Sequence, residues 1–135
     1  MHVRAQELIV SLALTEHPEG GFYRQTYKSP QQVDPRDGRD LRSALTAIYF
    51  LLPAGHTSRW HRVRSDEIWT HLEGSPVHLF LARDESHFET PVEALVERMH
   101  VVPAGMWQAA ESTGDYSLVA CFVAPGFEFE DFEMR

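Results

Sequence analysis

The segment spanning residues 55–74 constrains the fold more than any other part of the chain. It holds two short stretches with strand composition, joined by a turn near Ser65 and Asp66. Because side chains alternate along a strand, His61 and Val63 share one face of the first stretch. On the second, three side chains share a face: Glu67, Trp69 and His71. If both faces point inward, a small antiparallel barrel would enclose a carboxylate and two imidazoles.

Similar short apolar runs, separated by Pro, Gly and Asp turns, follow along the chain. They cover residues 22–27, 44–52, 67–72, 77–82, 97–102 and 117–124. Residues 4–14 instead carry a helical apolar stripe that ends before Pro18. The sequence therefore predicts an all-β fold with one short N-terminal helix, and residues 1–135 form a single domain.

Two segments are less regular. Residues 29–42 hold two prolines and several charges, which predicts a solvated loop. Within residues 124–133, Phe and acidic residues alternate from Phe127 to Glu130, the pattern of a half-buried strand at a sheet edge. As an alternative role, Glu128 or Asp131 reaches a ligand.

The charge composition of the chain limits the classes of partner that we expect. Twenty acidic residues outnumber twelve basic ones, giving a net charge of -8 with neutral histidines. This balance disfavours nucleic-acid backbones and anionic lipid, so we expect neither as a partner. The only cysteine, Cys121, lies in an apolar run and is expected to fill the core. No signal-peptide pattern or membrane-length apolar run is present, and we expect a cytoplasmic protein.

Five motifs occur in order along the chain. They are His17-Pro-Glu-Gly-Gly-Phe-Tyr-Arg24, Thr46-Ala-Ile-Tyr-Phe-Leu51, Trp60-His-Arg-Val-Arg-Ser-Asp-Glu-Ile-Trp69, Val102-Pro-Ala-Gly-Met-Trp-Gln108 and residues 124–133. Together they resemble a family of small single-domain cupins with no assigned reaction. The resemblance implies a double-stranded β-helix, the cupin jelly-roll barrel, usually paired into a homodimer. It also implies a cavity lined by Tyr49, His61, Glu67, Trp69, His71 and Gln108.

The motifs depart from the general cupin metal pattern at two positions. Val63 and Gln108 stand where that pattern has histidines, whereas His61 and Glu67 match it. We therefore expect these polar residues to form a hydrogen-bonded pocket without a metal. The alternative is a divalent transition metal (Fe, Mn or Ni) held by His61 and Glu67, with Gln108 or His71 as a third ligand.

The leading hypothesis for function is a cupin that binds a small polar metabolite, such as a sugar or nucleotide-sugar derivative. In an isomerase or epimerase, Glu67 or His61 would act as the base and His71 or Tyr49 as the acid. The remaining candidate residues would hold the ligand: Trp69 and Trp107 by stacking, Gln108 by orienting it, and Glu19 and Arg24 from the Gly20-Gly21 turn. A non-catalytic sensor and a metal-dependent oxygenase or isomerase are the alternatives.

Overall fold

The computed structural model describes all 135 residues as one α-helix and two facing antiparallel sheets. The helix is α1 (Val3–Ser11). The strands are β1 (Thr15–Glu16), β2 (Phe22–Lys28), β3 (Gln32–Val33), β4 (Arg42–Ser43), β5 (Thr46–Pro53), β6 (Thr57–Val63), β7 (Asp66–Gly74), β8 (Val77–Ala82), β9 (Val92–Val96), β10 (Met99–Val102), β11 (Trp107–Ser112), β12 (Tyr116–Ala124) and β13 (Phe132–Met134). Glu85–His87 and Phe129–Asp131 form single 3₁₀ turns.

The larger sheet has the order β1-β2-β5-β12-β7-β10, and the smaller one β13-β6-β11-β8-β9. A two-stranded ladder of β3 and β4 lies apart from both sheets. The strand order jumps along the chain, as expected for a jelly roll. This confirms the predicted all-β cupin fold with one N-terminal helix, although the two sheets do not join by hydrogen bonds into a closed barrel.

Alternation along β5 separates two apolar clusters. Phe50 and Leu52 face inward and pack in the core between the sheets. Tyr49 and Leu51 face outward and pack with Leu8 beneath α1. The helix thus covers the outer face of the larger sheet, as the apolar stripe in its sequence predicts. No helix has both the length and the apolar character needed to cross a bilayer.

The segment predicted as a solvated loop, residues 29–42, is more ordered than its composition suggests. Its ends form the β3–β4 ladder, and the Arg42 side chain is buried. The reason is Asp131, whose carboxylate receives two hydrogen bonds from the Arg42 guanidinium, each 2.9 Å long. Arg39 adds a third at 3.0 Å. These charges therefore pair with the C-terminal segment instead of facing water.

The C-terminal segment forms its edge strand later than predicted. Residues 127 and 128 are irregular, Phe129–Asp131 form a 3₁₀ turn, and β13 pairs with β6 from Phe132 onward. The backbone N–H of Phe127 donates to Thr46 Oγ1, which diverts the chain from strand geometry. This segment packs on its own barrel. The homodimer stays a prediction, which a mass determination by light scattering tests.

Candidate functional site

A cavity of about 160 Å³ opens at one end of the space between the sheets. It is lined by His17, Glu19, Tyr23, Gln25, Thr46, Ile48, His61, Val63, Glu67, Cys121, Val123, Phe127, Phe129 and Phe132. Five of these side chains are ionisable and buried: His17, Glu19, His61, Glu67 and Cys121. Much of the remaining lining is apolar or aromatic. Buried ionisable groups beside a cavity are a common sign of a functional site.

The turn between β1 and β2 places Glu19 in the cavity wall. The Gly20 N–H donates to His17 O at 3.0 Å, and the Arg59 N–H on β6 donates to Glu19 O at 2.8 Å. Gly20 has a φ of 110°, and a Cβ there would lie 2.0 Å from the Thr57 carbonyl oxygen. Only glycine fits this close approach. The turn motif is therefore what brings a carboxylate into the interior.

Glu19 forms an ion pair with His61. The Nε2 atom of His61 lies 2.9 Å from Glu19 Oε2, and its Nδ1 atom lies 2.7 Å from the Arg59 carbonyl oxygen. A carbonyl oxygen only accepts, so Nδ1 carries a proton, and Nε2 donates a second to the carboxylate. Burial alone would lower the pKa of His61, but the charge and hydrogen bond of Glu19 and the charge of Glu67 outweigh it and raise that pKa to about 9. His61 is an imidazolium at neutral pH.

Glu67 is the carboxyl group that titrates near neutral pH. Burial, opposed by the charge of His61 and reinforced by that of Glu19, raises its pKa to about 7. Its Oε1 atom accepts a 2.8 Å hydrogen bond from Gln108 Nε2. The Gln108 oxygen in turn accepts from the Trp69 indole at 2.9 Å. Because an indole N–H only donates, Trp69 fixes the orientation of the Gln108 amide toward Glu67.

His17 and Cys121 complete the ionisable part of the wall. The Glu19 backbone N–H donates to His17 Nδ1 at 3.1 Å, so the ring proton of His17 lies on Nε2. Burial lowers the pKa of His17 and keeps the ring neutral. Burial and the nearby charges of Glu67 and Glu19 raise the pKa of the Cys121 thiol well above its usual value. This thiol is therefore not an activated nucleophile.

Three phenylalanines of the C-terminal segment roof the cavity, and we call Phe127, Phe129 and Phe132 the aromatic roof. Their rings contact one another edge to face, with centroids 4.9 to 6.1 Å apart. Phe132 also stacks on the His61 ring, with centroids 5.6 Å apart. Asp131 lies inside this segment, and its pairing with Arg42 and Arg39 holds the roof in place.

The structure brings together only some of the residues expected at the site. Glu19, His61 and Glu67 line the cavity, and Gln108 and Trp69 stand behind Glu67. Tyr49 lies beneath α1, on the opposite face of β5 from Ile48. Arg24 likewise alternates with Tyr23 and Gln25, and its guanidinium donates to Leu12 O on the outside.

His71 and Trp107 also lie away from the cavity. The pairing of β7 with β12 shifts by one residue beside His71, whose ring contacts the Gly74 carbonyl oxygen at 3.0 Å. Trp107 precedes the inward-facing Gln108, so its ring packs on the other face of β11. There it contacts Phe88 and lies beneath the Arg62 and Arg135 guanidinium groups.

The arrangement of donors does not fit a bound metal ion. Both nitrogens of His61 carry protons directed at oxygen acceptors, which leaves no lone pair for a metal. Gln108 turns its nitrogen to Glu67 and its oxygen to Trp69. No group of three or more His, Cys, Asp and Glu side chains is placed to hold a metal. The polar atoms of His61 and Gln108 are thus engaged by protein groups, His61 by Glu19 and the Arg59 carbonyl, and Gln108 by Glu67 and Trp69.

Comparison with known proteins agrees with this fold. The model of the family described as "Cupin superfamily (DUF985)" matches residues 6–135. The chain belongs to this family. This cupin is similar to the uncharacterized protein YML079W of Saccharomyces cerevisiae, with 28% identity over 93% of the chain and 72% of the yeast protein.

Two solved structures are similar to this cupin over nearly its full length. A hypothetical protein from Leishmania major has 31% identity and a TM-score of 0.87, over 97% of this chain and 86% of the other. Protein SO0799 from Shewanella oneidensis has 33% identity and a TM-score of 0.83, over 97% and 84% respectively. These relatives support a small cupin family of unassigned function.

Sequence reasoning missed the roof and most of the apolar lining of this cupin. The Phe-rich pattern of residues 127–132 was visible, but it predicted a packing strand because nothing local shows that the segment folds over an open barrel end. The alternation of side chains along β5 and β12 could have predicted which residues face the cavity from these strands: Thr46, Ile48, Cys121 and Val123. The cavity boundary itself depends on contacts between distant segments.

Proposed function

We propose that this cupin binds a small metabolite in the cavity and that Glu67 transfers a proton to or from it. The observation that carries the proposal is the buried carboxyl of Glu67 at the cavity wall, with its pKa raised to about 7. A group with a pKa near the working pH can both accept and return a proton. Gln108 holds one carboxyl oxygen at a fixed position for that transfer.

His61 serves a different role from the one expected of a base. Its two ring protons are already directed at Glu19 and at the Arg59 carbonyl oxygen. It therefore has no free nitrogen to accept a proton from a ligand. Its positive charge opposes the rise in the pKa of Glu67 and keeps it near neutral instead of higher. His61 and Glu19 thus act as positioning residues for Glu67.

The chemistry proposed is metal-free isomerisation or epimerisation. As a carboxylate, Glu67 accepts a proton from a carbon next to a carbonyl group. As an acid, it returns the proton to the other face of the same carbon, or to the neighbouring carbon while the hydroxyl proton on that carbon passes to the former carbonyl oxygen, with no net change in protons. Trp69 and Gln108 contribute by fixing which carboxyl oxygen is occupied.

The cavity size limits the ligand. A cavity of about 150 Å³ is known to hold a benzene molecule, and this one measures about 160 Å³. A single small ring or a short chain fits within it. A nucleotide sugar would leave its nucleotide part outside the cavity, so we favour a small metabolite without an attached nucleotide.

The test is proton exchange into the ligand. Small aldoses, ketoses and other carbonyl compounds are incubated with the protein in D₂O, and deuterium incorporation is followed by NMR. We expect exchange of a proton beside the carbonyl, lost by at least about a hundredfold in Glu67→Gln. The exposed Glu97→Gln variant is the matched control and should retain the wild-type rate. An unchanged rate in Glu67→Gln would contradict the proposal.

A second candidate, binding without turnover, is favoured by one observation. Both nitrogens of His61 are engaged, the only other imidazole in the cavity wall is neutral His17, and no second acid or base is placed against Glu67. A ligand that raises the melting temperature and is recovered without deuterium would support this sensor function.

A further inference from the structure

The cavity wall carries a net negative charge once Glu67 is ionised. Glu19 and His61 form a neutral pair, and burial keeps His17 neutral. No lysine or arginine lines the cavity. Arg42 and Arg39, behind the aromatic roof, are already paired with Asp131. Once ionised, Glu67 is therefore a buried carboxylate with no cation of its own facing the cavity, and a buried charge of this kind favours a partner of opposite sign.

The remaining wall provides aromatic rings. Tyr23 lines the cavity together with the aromatic roof. Within the roof, the ring planes meet at 74 to 82°, so they surround space from different directions. One of these rings, Phe132, already stacks on a cation, the His61 imidazolium. Aromatic faces attract cations, and cages of such rings recognise quaternary ammonium groups.

We propose that the ligand of this cavity is a small organic cation, an amine or quaternary ammonium compound of about the size of benzene. Its positive group would lie between the Glu67 carboxylate and the aromatic roof. This inference rests on the cavity being the ligand site, as proposed above, and it names the ligand class. A carboxylate or phosphate ligand is disfavoured because it would add a second negative charge without a basic side chain to receive it.

Binding of a cation in this cavity should be coupled to the release of a proton from Glu67. The other charged or titratable groups that line the cavity are His17 and Glu19 from the turn, Tyr23 from β2, His61 from β6 and Cys121 from β12. Burial keeps His17 neutral and raises the pKa of the Cys121 thiol, whereas the pKa of Glu67 is about 7. A bound cation stabilises its carboxylate, lowers its pKa and so releases a proton. Binding is therefore tighter at pH 8 than at pH 5.

Three probes of the same shape and different charge test the ligand class. They are choline, the neutral 3,3-dimethylbutan-1-ol and the anionic 3,3-dimethylbutanoate, each titrated calorimetrically into the intact protein. We expect choline to bind about tenfold more tightly than the alcohol, and the anion to bind most weakly. Repeating the choline titration in buffers of different ionisation enthalpy should show release of about half a proton at pH 7.

Variants separate the charge from the rings. Glu67→Gln keeps the side-chain size, and in it choline should bind no more tightly than the alcohol. Phe129→Leu should weaken choline about fivefold and the alcohol by less than twofold, while Glu97→Gln should match the wild type. The pH and buffer measurements on the wild type stand even if a variant does not fold.

Equal or tighter binding of the alcohol, tightest binding of the anion, or no binding of choline would each overturn the inference. None of these results decides the proton-transfer proposal, which the deuterium assay tests with carbonyl compounds. Conversely, choline binding without any exchange dependent on Glu67 would uphold the ligand class and remove the catalytic function.

Discussion

The two ends of the space between the sheets differ sharply. At one end, the interior is solid and apolar, with Leu79, Val96 and Val119 almost fully buried between the sheets. At the other end, β5, β6 and β7 present Thr46, His61 and Glu67 to a cavity. The hydrogen-bonded pair of Trp69 and Gln108 stands at the boundary, with the indole in the core and the amide against Glu67.

The difference shows how one strand pattern supports both stability and a site. Inward positions keep the period of two along each strand, but at the cavity end polar side chains replace apolar ones. The buried carboxyl groups there have partners within the chain, His61 for Glu19 and Gln108 for Glu67. The apolar end supplies the burial that offsets the cost of placing charges inside the protein.

Breaking the ion pair at the cavity end should have the largest effect. His61→Leu leaves Glu19 buried without its cation, and we expect a loss of about 3–5 kcal/mol in the free energy of unfolding at pH 7. Without His61, burial raises the pKa of Glu19 above its unfolded value, so the deficit relative to wild type shrinks as the pH falls toward 5. Urea denaturation at pH 7 and pH 5 measures this difference in stability between the variant and the wild type.

A second substitution controls for lost packing at this position. The double variant with Glu19→Gln removes the stranded charge and should recover more than half of the lost stability. If the double variant is as unstable as His61→Leu alone, then packing and not charge holds this end together.

At the apolar end, Leu79→Ala should cost about 3 kcal/mol, because it opens a void among fully buried neighbours. No pH dependence is expected, since the substitution removes only apolar atoms and no carboxyl or imidazole group lies in this cluster. Leu95→Ala, at a largely exposed position, should change stability by less than about 0.5 kcal/mol. Equal losses in the two variants, measured by urea denaturation, would contradict dense packing around Leu79 at this end.

Glu67→Gln should change the pH dependence of stability more than stability itself. The folded-state pKa of Glu67, about 7, lies above its ordinary value of 4.5, so the folded protein binds the extra proton between these values. Stability from this group is full below pH 4.5 and is lost as the pH rises through 7. The variant should lack that decline, which is on the order of 2 kcal/mol in the wild type.

Thermal melts from pH 4.5 to 8 make the comparison for this variant. At pH 7 its melting temperature should stay close to that of the wild type. Parallel curves for the two proteins across this range would show that Glu67 titrates normally. A large loss of stability at every pH would instead show a structural role for the carboxyl group.

The smallest effect is expected for the roof, because each arginine behind it keeps a second carboxylate: Asp37 for Arg39 and Glu130 for Arg42. Asp131→Asn removes the charge that pairs with Arg42 and Arg39, and should speed hydrogen exchange of the β13 amides while leaving β8 amides unchanged. Exchange monitored by NMR distinguishes the two strands. Unaltered protection in β13 would mean that the aromatic contacts alone keep the roof closed.

The sequence predicted the filled end better than the cavity end. Apolar runs such as residues 77–82 and 117–124 lie close to β8 and β12, because burial on a pleated surface depends on local alternation. The hairpin that carries His61 and Glu67 could be predicted from the sequence equally well. The partner of His61, however, is Glu19, which is distant in sequence and enters through a glycine turn whose fit depends on the Thr57 backbone.

Residue type alone likewise did not show which of the residues expected at the site face the cavity. Tyr49 and Trp107 carry suitable chemistry, yet each lies one position from an inward-facing residue and so faces away from the cavity. His71 follows the period of two from Glu67, but it lies beyond the core residue Trp69, farther along β7 from the cavity, and its ring contacts the Gly74 carbonyl oxygen.

The hydrogen bond from Trp69 gives the protein an internal optical reporter. Its indole is joined to Glu67 through a single amide group, so a change of charge on that carboxyl alters the electric field at a buried fluorophore. Trp60 and Trp107 lie on the outer face of the smaller sheet and supply a background that does not share this connection. Tryptophan emission followed across neutral pH should therefore reveal when Glu67 ionises, and what a bound molecule does to it, without any label.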